Sequence, residues 1–356
     1  MPRIFIIGYS THKGGVETYI DNLCSQIGNE NNIIYSLPQM EIDGKLWYRP
    51  KNRHNPFKYR KFWKKFYKEN HFDAVYFNTC DIVSIDQLKF AKQAGVPVRI
   101  IHSHNTGQEY KKKGILGLFH KLSEKNSRKN LHRYATHLLA CSKSAGDWMF
   151  DGREYTVIKN GINIDEYTFS TQKRQNIAKK ISKNANNVIG SIGRLDPQKN
   201  PFFTLEIFKQ LCRLNSDVQC IFIGDGEFRS ELEQKVKDAG LQERIIFTGS
   251  VDNVNEWLSY IDALVMPSLF EGLPFVLVEA QAAGIHSLVS DTVSEESNIT
   301  GLVEYKSLSD STENWAMRLL ELAEMPREGL SDKLKQAGFS ISVSSEIIKT
   351  ILNTYR

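Results

Sequence analysis

Between residues 267 and 279 the chain reads Pro-Ser-Leu-Phe-Glu-Gly-Leu-Pro-Phe-Val-Leu-Val-Glu, with two acids, Glu271 and Glu279, on either side of a tight Gly272-Leu273-Pro274 turn. An apolar strand runs into the first acid, and a helical pattern beginning near Phe275 carries the second. Pro274 suits the first helical turn, where a missing N–H costs nothing. The open N–H groups of that turn then suit an anion such as a diphosphate. Carboxylates beside an anion site have a use for hydroxyl groups, because each accepts bonds from two sugar OH groups at once. The segment predicts a nucleotide-sugar site. The plainer reading is a strand–turn–helix with two solvated Glu residues.

A second loop, Ile192-Gly193-Arg194-Leu195-Asp196-Pro197-Gln198-Lys199-Asn200-Pro201, also follows an apolar strand. Arg194 offers a bidentate grip on phosphate oxygens, and Lys199 a point charge. Together they would offset a leaving diphosphate without a metal, and the chain holds no Asp-x-Asp pair of the usual metal-diphosphate type. Gly224-Asp225-Gly226 reads as a close-approach turn after another strand, and Val251 as a residue packing on a base. Near the N-terminus, Gly14-Gly15 sits where a strand turns into a helix, without the G-x-G-x-x-G of dinucleotide folds. His102 and His104 end a further strand in Arg99-Ile100-Ile101-His102-Ser103-His104-Asn105. A neutral imidazole donating to a sugar hydroxyl is the functional reading, and core packing the alternative for His102.

These residues need elements to position them. Short β-rich runs alternate with helical stretches in both halves of the 356 residues. The expected strands are 4–8, 32–36, 74–77, 98–101 and 137–140 in the first half. Those in the second are 188–192, 218–223, 245–247, 263–266, 287–289 and 302–305. Such alternation predicts an α/β chain of two Rossmann-like, doubly wound parallel-sheet domains facing a cleft. A Lys/Asn-rich stretch at 170–187 separates the two series. The expected domains are 1–165 and 166–340, with a terminal helix at 341–356. Composition is that of a globular protein, at 41% hydrophobic and 24% charged. No apolar run approaches a membrane span. Five scattered Cys without a C-x-x-C pair suggest core thiols of a reducing cytoplasm.

The charge is uneven. Residues 1–165 carry 26 Lys and Arg against 15 Asp and Glu, a net +11, while the remainder carries 20 against 26, a net −6. Within the basic half, residues 57–68 interleave aromatics at 59, 62, 63, 66 and 67 with Lys58, Arg60, Lys61, Lys64 and Lys65. That pattern, with Trp63 among its aromatics, suits a helix lying on an anionic membrane, although any helix packed on a sheet shows the same stripe. Residues 111–119, Lys-Lys-Lys-Gly-Ile-Leu-Gly-Leu-Phe, add a second basic–apolar patch. No groove-reading motif accompanies these patches, so nucleic acid is not an expected partner.

The set Gly14-Gly15, His102-Ser103-His104-Asn105, Gly193-Arg194 with Lys199-Asn200-Pro201, Gly224-Asp225-Gly226 and Glu271-x7-Glu279 resembles glycosyltransferase family 4, in the version similar to capsular and exopolysaccharide enzymes. The resemblance implies a GT-B fold and a retaining hexosyltransferase that uses a nucleotide-sugar, most readily a UDP-sugar, with no metal or other cofactor. It implies that Arg194 and Lys199 hold the donor diphosphate, that Glu279 takes the ribose hydroxyls, and that Glu271 with Gly272, Leu273, Pro274 and Phe275 holds the sugar. Gly15, Gly193, Gly224 and Gly226 would line the donor, and His104 would stand beside the reacting carbon. A lipid-linked saccharide acceptor on the cytoplasmic face of the membrane would explain both basic–apolar patches. A non-catalytic accessory subunit and a nucleotide-sugar epimerase are the rival expectations.

Overall fold

A computed structural model of the chain describes residues 2–10, 14–28, 32–36, 41–42, 45–47, 55–80, 82, 84–104, 114–181, 187–271 and 273–354. Gly272, Asn105 and the lysines at 111–113, named above, lie outside these residues. The chain forms two compact units, one of Met1–Gly161 with Ser340–Arg356, the other of Ile162–Phe339.

The first unit runs β1 (Ile4–Ile7), α1 (Gly15–Ile27), β2 (Ile33–Tyr35), β3 (Glu41–Ile42), β4 (Lys45–Trp47), α2 (Pro56–Asn70), β5 (Ala74–Thr79), α3 (Asp86–Gln93), β6 (Val98–Ser103), α4 (Gly114–Asn130), β7 (His137–Ala140), α5 (Lys143–Phe150) and β8 (Thr156–Val157). Its sheet has the order β3-β4-β2-β1-β5-β6-β7-β8, parallel except where β3 meets β4. The second unit runs α6 (Ile164–Tyr167), α7 (Thr171–Ile181), β9 (Asn187–Ile192), α8 (Pro201–Leu214), β10 (Val218–Ile223), α9 (Arg229–Asp238), β11 (Ile245–Phe247), α10 (Val254–Tyr260), β12 (Ala263–Met266), α11 (Phe275–Ala282), β13 (His286–Ser290), β14 (Val303–Lys306), α12 (Thr312–Glu324) and α13 (Ser331–Gln336). Its order is β11-β10-β9-β12-β13-β14, all parallel. The last helix, α14 (Ile341–Asn353), packs on α1 of the first unit.

The apolar character of β1, β10 and β12, broken only by the buried Gln219 of β10, follows from burial on both faces of a parallel sheet. In the second unit one face packs on Phe208, Leu211 and Trp315, and the other on Leu258, Tyr260 and Leu277. Both sheets reverse direction of winding beside their first strand, between β1 and β5 and between β9 and β12. Loops after these strands therefore diverge and leave a crevice, the place where open α/β sheets take ligands.

Several expectations change. The stretch 170–187 is not a bare linker. Residues 171–181 form α7, which buries Ile177 and packs on α10, and the units change at Gly161–Ile162. Strands β3, β4 and β8 were not foreseen, because they are two or three residues long and, unlike the equally short β2 and β11, form no distinct apolar run. Cys80 is exposed, whereas the other four cysteines are buried.

The largest correction concerns α2. Asn55 caps it, its Oδ1 accepting from Phe57 N and Lys58 N, and Pro56 opens it. Trp63 is only 2% exposed, and Phe66 and Tyr67 are buried with it. The three rings pack around Phe5 of β1 at centroid distances of 5.1 to 5.7 Å. The aromatic stripe belongs to the core of the first unit, so Trp63 has no lipid or acceptor to meet. Lys58, Arg60, Lys61, Lys64 and Lys65 are exposed on the outer face.

Candidate active site

In the second unit, β9 and β12 are hydrogen-bonded neighbours, and the loops beyond them carry the two motifs. Asp196 Oδ1 accepts from Lys199 N at 3.1 Å and folds 197–199 into a single tight turn. Asn200 then takes a left-handed conformation (φ 53°), and Pro201 opens α8. The turn brings Lys199 Nζ within 2.6 Å of Glu271 Oε1, with the two side chains 19% and 10% exposed. Glu271 Oε1 is buried and has no hydrogen-bond partner, so the contact is an ion pair outside hydrogen-bonding angles. An anion entering here would compete with a carboxylate for one ammonium group. Arg194 is exposed and leans on Asp196 Oδ2 (3.0 Å) and Gln198 Oε1 (3.2 Å).

The Glu271 loop is tied on both sides. Leu269 N donates to Gln198 O at 2.8 Å, and Gln198 Nε2 to Phe270 O at 3.2 Å. Opposite, Ser290 Oγ and Thr292 Oγ1 both donate to Ser268 O, and Ser294 N donates to Glu271 O at 3.3 Å. Gln198, Ser290 and Thr292 thus position the pair, and none of them stood out in the sequence because single hydrogen-bonding side chains carry no pattern.

The glycines explain themselves differently from expectation. A Cβ on Gly224 would lie 2.0 Å from Gly193 O, and one on Gly226 2.4 Å from Leu195 O. What Gly224 and Gly226 approach closely is the backbone of the Arg194 loop, and that contact holds the loop in place. Gly193, at φ 150°, lets the Lys199 stem pass where a Cβ would lie 3.0 Å from Lys199 Cε. Val251 is half-buried against the core.

Pro274 is the N-cap of α11 rather than its first residue, and Leu273 and Phe275 pack beside Val278 and Ala282. One helical turn further, Glu279 is buried. Burial pushes its carboxyl up to about 7, partly offset by a hydrogen bond with Tyr167 of α6. This group can take a proton near neutral pH. Tyr167, which lies just past the expected domain boundary, carried no sequence signal for that role.

In the first unit the described residues at the ends of β1, β5 and β6 hold no charge pair. His104 N donates to Thr79 O at 3.0 Å, which fixes the turn after β6. Its ring lies between two amides, with Nε2 2.9 Å from Asn78 Oδ1 and Nδ1 2.9 Å from Asn160 Oδ1. Asn78 Nδ2 faces Ile7 O, so its oxygen turns to the ring and places the proton on Nε2. A neutral ring then needs the amino group of Asn160 at Nδ1. Desolvation lowers the imidazole to about 4, so it is neutral at physiological pH. Both nitrogens are engaged within the unit, and a sugar hydroxyl would have to displace an amide. His102 is fully buried, its Nδ1 2.7 Å from Tyr76 OH and its ring 4.1 Å from that of His104. Burial and the neighbouring imidazole hold it well below the ordinary histidine range. His102 is therefore a core residue. Gly15 lies in the first turn of α1, where Glu17 Oε2 already accepts from Gly14 N at 3.2 Å.

A hollow of about 430 Å³ opens elsewhere in this unit, between α2 and α3, lined by Lys64, Lys68, His71, Phe90, Gln93 and Ala94. Among the described residues Lys58, Arg60, Lys61 and Lys64 have no ion-pair partner, whereas Lys65 pairs with Glu69.

Residues 172–338 match the family described as Glycosyl transferases group 1, and residues 13–166 match Glycosyltransferase Family 4. The chain is 29% identical to EpsF of Bacillus subtilis (strain 168), a protein named as a glycosyltransferase, over 99% of this chain and 96% of that one. It is 27% identical to the UDP-Gal:alpha-D-GlcNAc-diphosphoundecaprenol alpha-1,3-galactosyltransferase of Escherichia coli, over 64% of this chain and 60% of that one. The fold is shared with Anabaena Alr3699/HepE, solved in complex with UDP and glucose, at a TM-score of 0.74 and 16% identity, covering 99% of this chain and 100% of that one. With each half of the sequence matched by one half of the family and the whole length sharing its architecture, the chain belongs to glycosyltransferase family 4 and has the GT-B fold.

Proposed function

We propose that this glycosyltransferase moves a hexose from a UDP-sugar to a lipid-linked saccharide in surface polysaccharide assembly, without a metal and with the anomeric configuration kept. The observation that carries the reading is the Lys199–Glu271 pair at the β9/β12 switch point, with Arg194 beside it and Glu279 one helix turn beyond the loop. Relatives named for a UDP-galactose donor and a diphosphoundecaprenol acceptor support the choice of substrates, and EpsF and a Salmonella typhi Vi polysaccharide biosynthesis protein support the pathway class.

Lys199 and Arg194 hold the diphosphate. Glu271, released from Lys199 by the phosphate, accepts from hydroxyls of the transferred sugar, with the amides from Leu273 to Phe275 alongside. Glu279 in its ionised form accepts from both ribose hydroxyls. His104 exchanges its Asn160 contact for a hydroxyl of the sugar. In the chemical step the bond from the anomeric carbon to the diphosphate oxygen breaks, and a bond to the acceptor oxygen forms on the same face. The acceptor's proton passes to the departing diphosphate, so no protein base is required. The protein's contribution is fixed geometry and stabilisation of charge building on the phosphate.

The acceptor places the enzyme at the cytoplasmic face of the membrane as a peripheral protein. No helix among the described residues is long and apolar enough to cross a bilayer. A thermal-shift comparison of UDP, GDP and ADP tests the donor. UDP should stabilise by about 2.7 kcal/mol at roughly a hundred times its dissociation constant, and a shift with GDP or ADP alone sinks the UDP assignment. Turnover that survives EDTA and yields the retained anomer is the further requirement.

A further inference from the structure

We infer that α4 is the element by which this enzyme docks on an anionic lipid bilayer, through Leu118, Phe119 and Leu122 in the interface and Lys121, Lys125 and Lys129 on the headgroups. The inference rests on the membrane-face reading above and names the surface responsible. Leu118, Phe119 and Leu122 are 60%, 66% and 56% exposed, three large apolar side chains on one face of a single helix. The inner face is accounted for: Ser127 is buried, Arg128 lies 4.1 Å over the Trp148 ring, and Leu131 follows in the core. Leu118, Leu122, Lys125 and Lys129 succeed one another down the outer face at helical spacing. The acid on this helix, Glu124, is tied to Arg128.

The flanking charge decides the occupant. A cationic rim around an apolar patch complements an anionic headgroup layer over hydrocarbon. A second copy of the same face would bring lysine against lysine, since a two-fold contact is self-complementary. In α2 the order is inverted: its lysines face outward as well, but Trp63, Phe66 and Tyr67 are sealed in the core, and Phe57 alone of its aromatics is strongly exposed.

The test is flotation of the full chain with phosphatidylglycerol-containing vesicles and with pure phosphatidylcholine vesicles. The wild type should bind the former, and Leu118→Ser/Phe119→Ser/Leu122→Ser should lower the bound fraction roughly tenfold or more. Lys121→Glu/Lys125→Glu/Lys129→Glu should erase the preference for anionic lipid. The thermal shift with UDP should be unchanged in both variants, which separates loss of docking from failure of the transferase reading. The proposal is overturned if the serine variant floats like the wild type, if the wild type binds neither vesicle, or if charge reversal on α2 alone abolishes binding. A wild-type dimer that the serine variant dissolves would assign the face to a second copy instead.

Discussion

The two units repeat one plan and fill it with opposite chemistry. Each sheet reverses beside its first strand, and each reversal exposes loops at the strand ends. In the second unit those loops carry Arg194 and the Lys199–Glu271 pair, and the helix that follows carries the titratable Glu279. In the first, the described strand ends bring together imidazoles and amides, with His104 between Asn78 and Asn160 and His102 and Tyr76 behind it, and both imidazoles are neutral at physiological pH. Within each unit the fold fixes where a ligand can be met, and the side chains there fix what chemistry it must have. Charges suit a diphosphate, whereas a neutral hydrogen-bonded array suits hydroxyl groups. A Rossmann-like unit is thus a mounting for chemistry rather than a prescription of it.

That contrast is open to attack at several points. The heaviest loss should follow Lys199→Ala, which on the proposed reading removes the point charge from the diphosphate and should cost kcat about 10²–10³, or about 3–4 kcal/mol of barrier. It also leaves Glu271 unpaired and largely buried, which destabilises the fold. The double variant Lys199→Met/Glu271→Gln should recover the melting temperature but not the activity, and recovery of both would make the pair purely structural.

Glu279 sets the next effect. Its folded pKa of about 7 lies above its ordinary 4.5, so this group favours folding most below 4.5, and that stability drains away as pH rises to 7. The loss is on the order of 2–3 kcal/mol, and Glu279→Gln should abolish it in urea titrations across that window. If the Glu279 carboxylate takes the ribose hydroxyls as proposed, UDP affinity should rise with pH through about 7 in the wild type and stay flat in the variant. A wild type already flat would remove Glu279 from the ribose.

In the first unit the slope has the opposite sign. His104 is lowered to about 4 from 6.5, so stability is full above 6.5 and falls as the pH drops toward 4. His104→Gln should flatten that limb while lowering kcat roughly tenfold, about 1.4 kcal/mol. UDP binding measured by calorimetry should be unaffected, and if it weakens as much as in Lys199→Ala the division between the units fails. Smallest of all, Lys58→Ala or Arg60→Ala on the open face of α2 should change stability by less than about 0.5 kcal/mol in thermal melts.

Much of the second unit was legible. All six of its strands appear close to where the apolar runs placed them, and Arg194, Lys199 and Glu271 stand on the expected loops. Short polar loops between long apolar runs leave little freedom about where a motif residue emerges. The first unit was less so. Its strands β3, β4 and β8 are silent, and the Asn78–His104–Asn160 array joins residues with no common spacing. The two basic–apolar segments show the limit best. The stripe in α2 and the patch in α4 look alike as strings, yet one packs around Phe5 and the other faces solvent. Periodicity shows that a face is apolar and is silent on what covers it.

By itself the sequence determined the alternation of strand and helix, the basic bias of one half, and the chemical types gathered in the Gly193–Lys199 and Ser268–Glu279 segments, because these are local properties of neighbouring residues. The tertiary structure alone decided that β9 lies beside β12, so that an ammonium and a carboxylate distant in sequence come within 2.6 Å. It also decided that Glu279 is dry enough to hold its proton near neutrality, and that Gly224 and Gly226 make room for a neighbouring loop. Strand order, desolvation and close backbone crossings are set by contacts between segments far apart along the chain, and no window of sequence contains both partners.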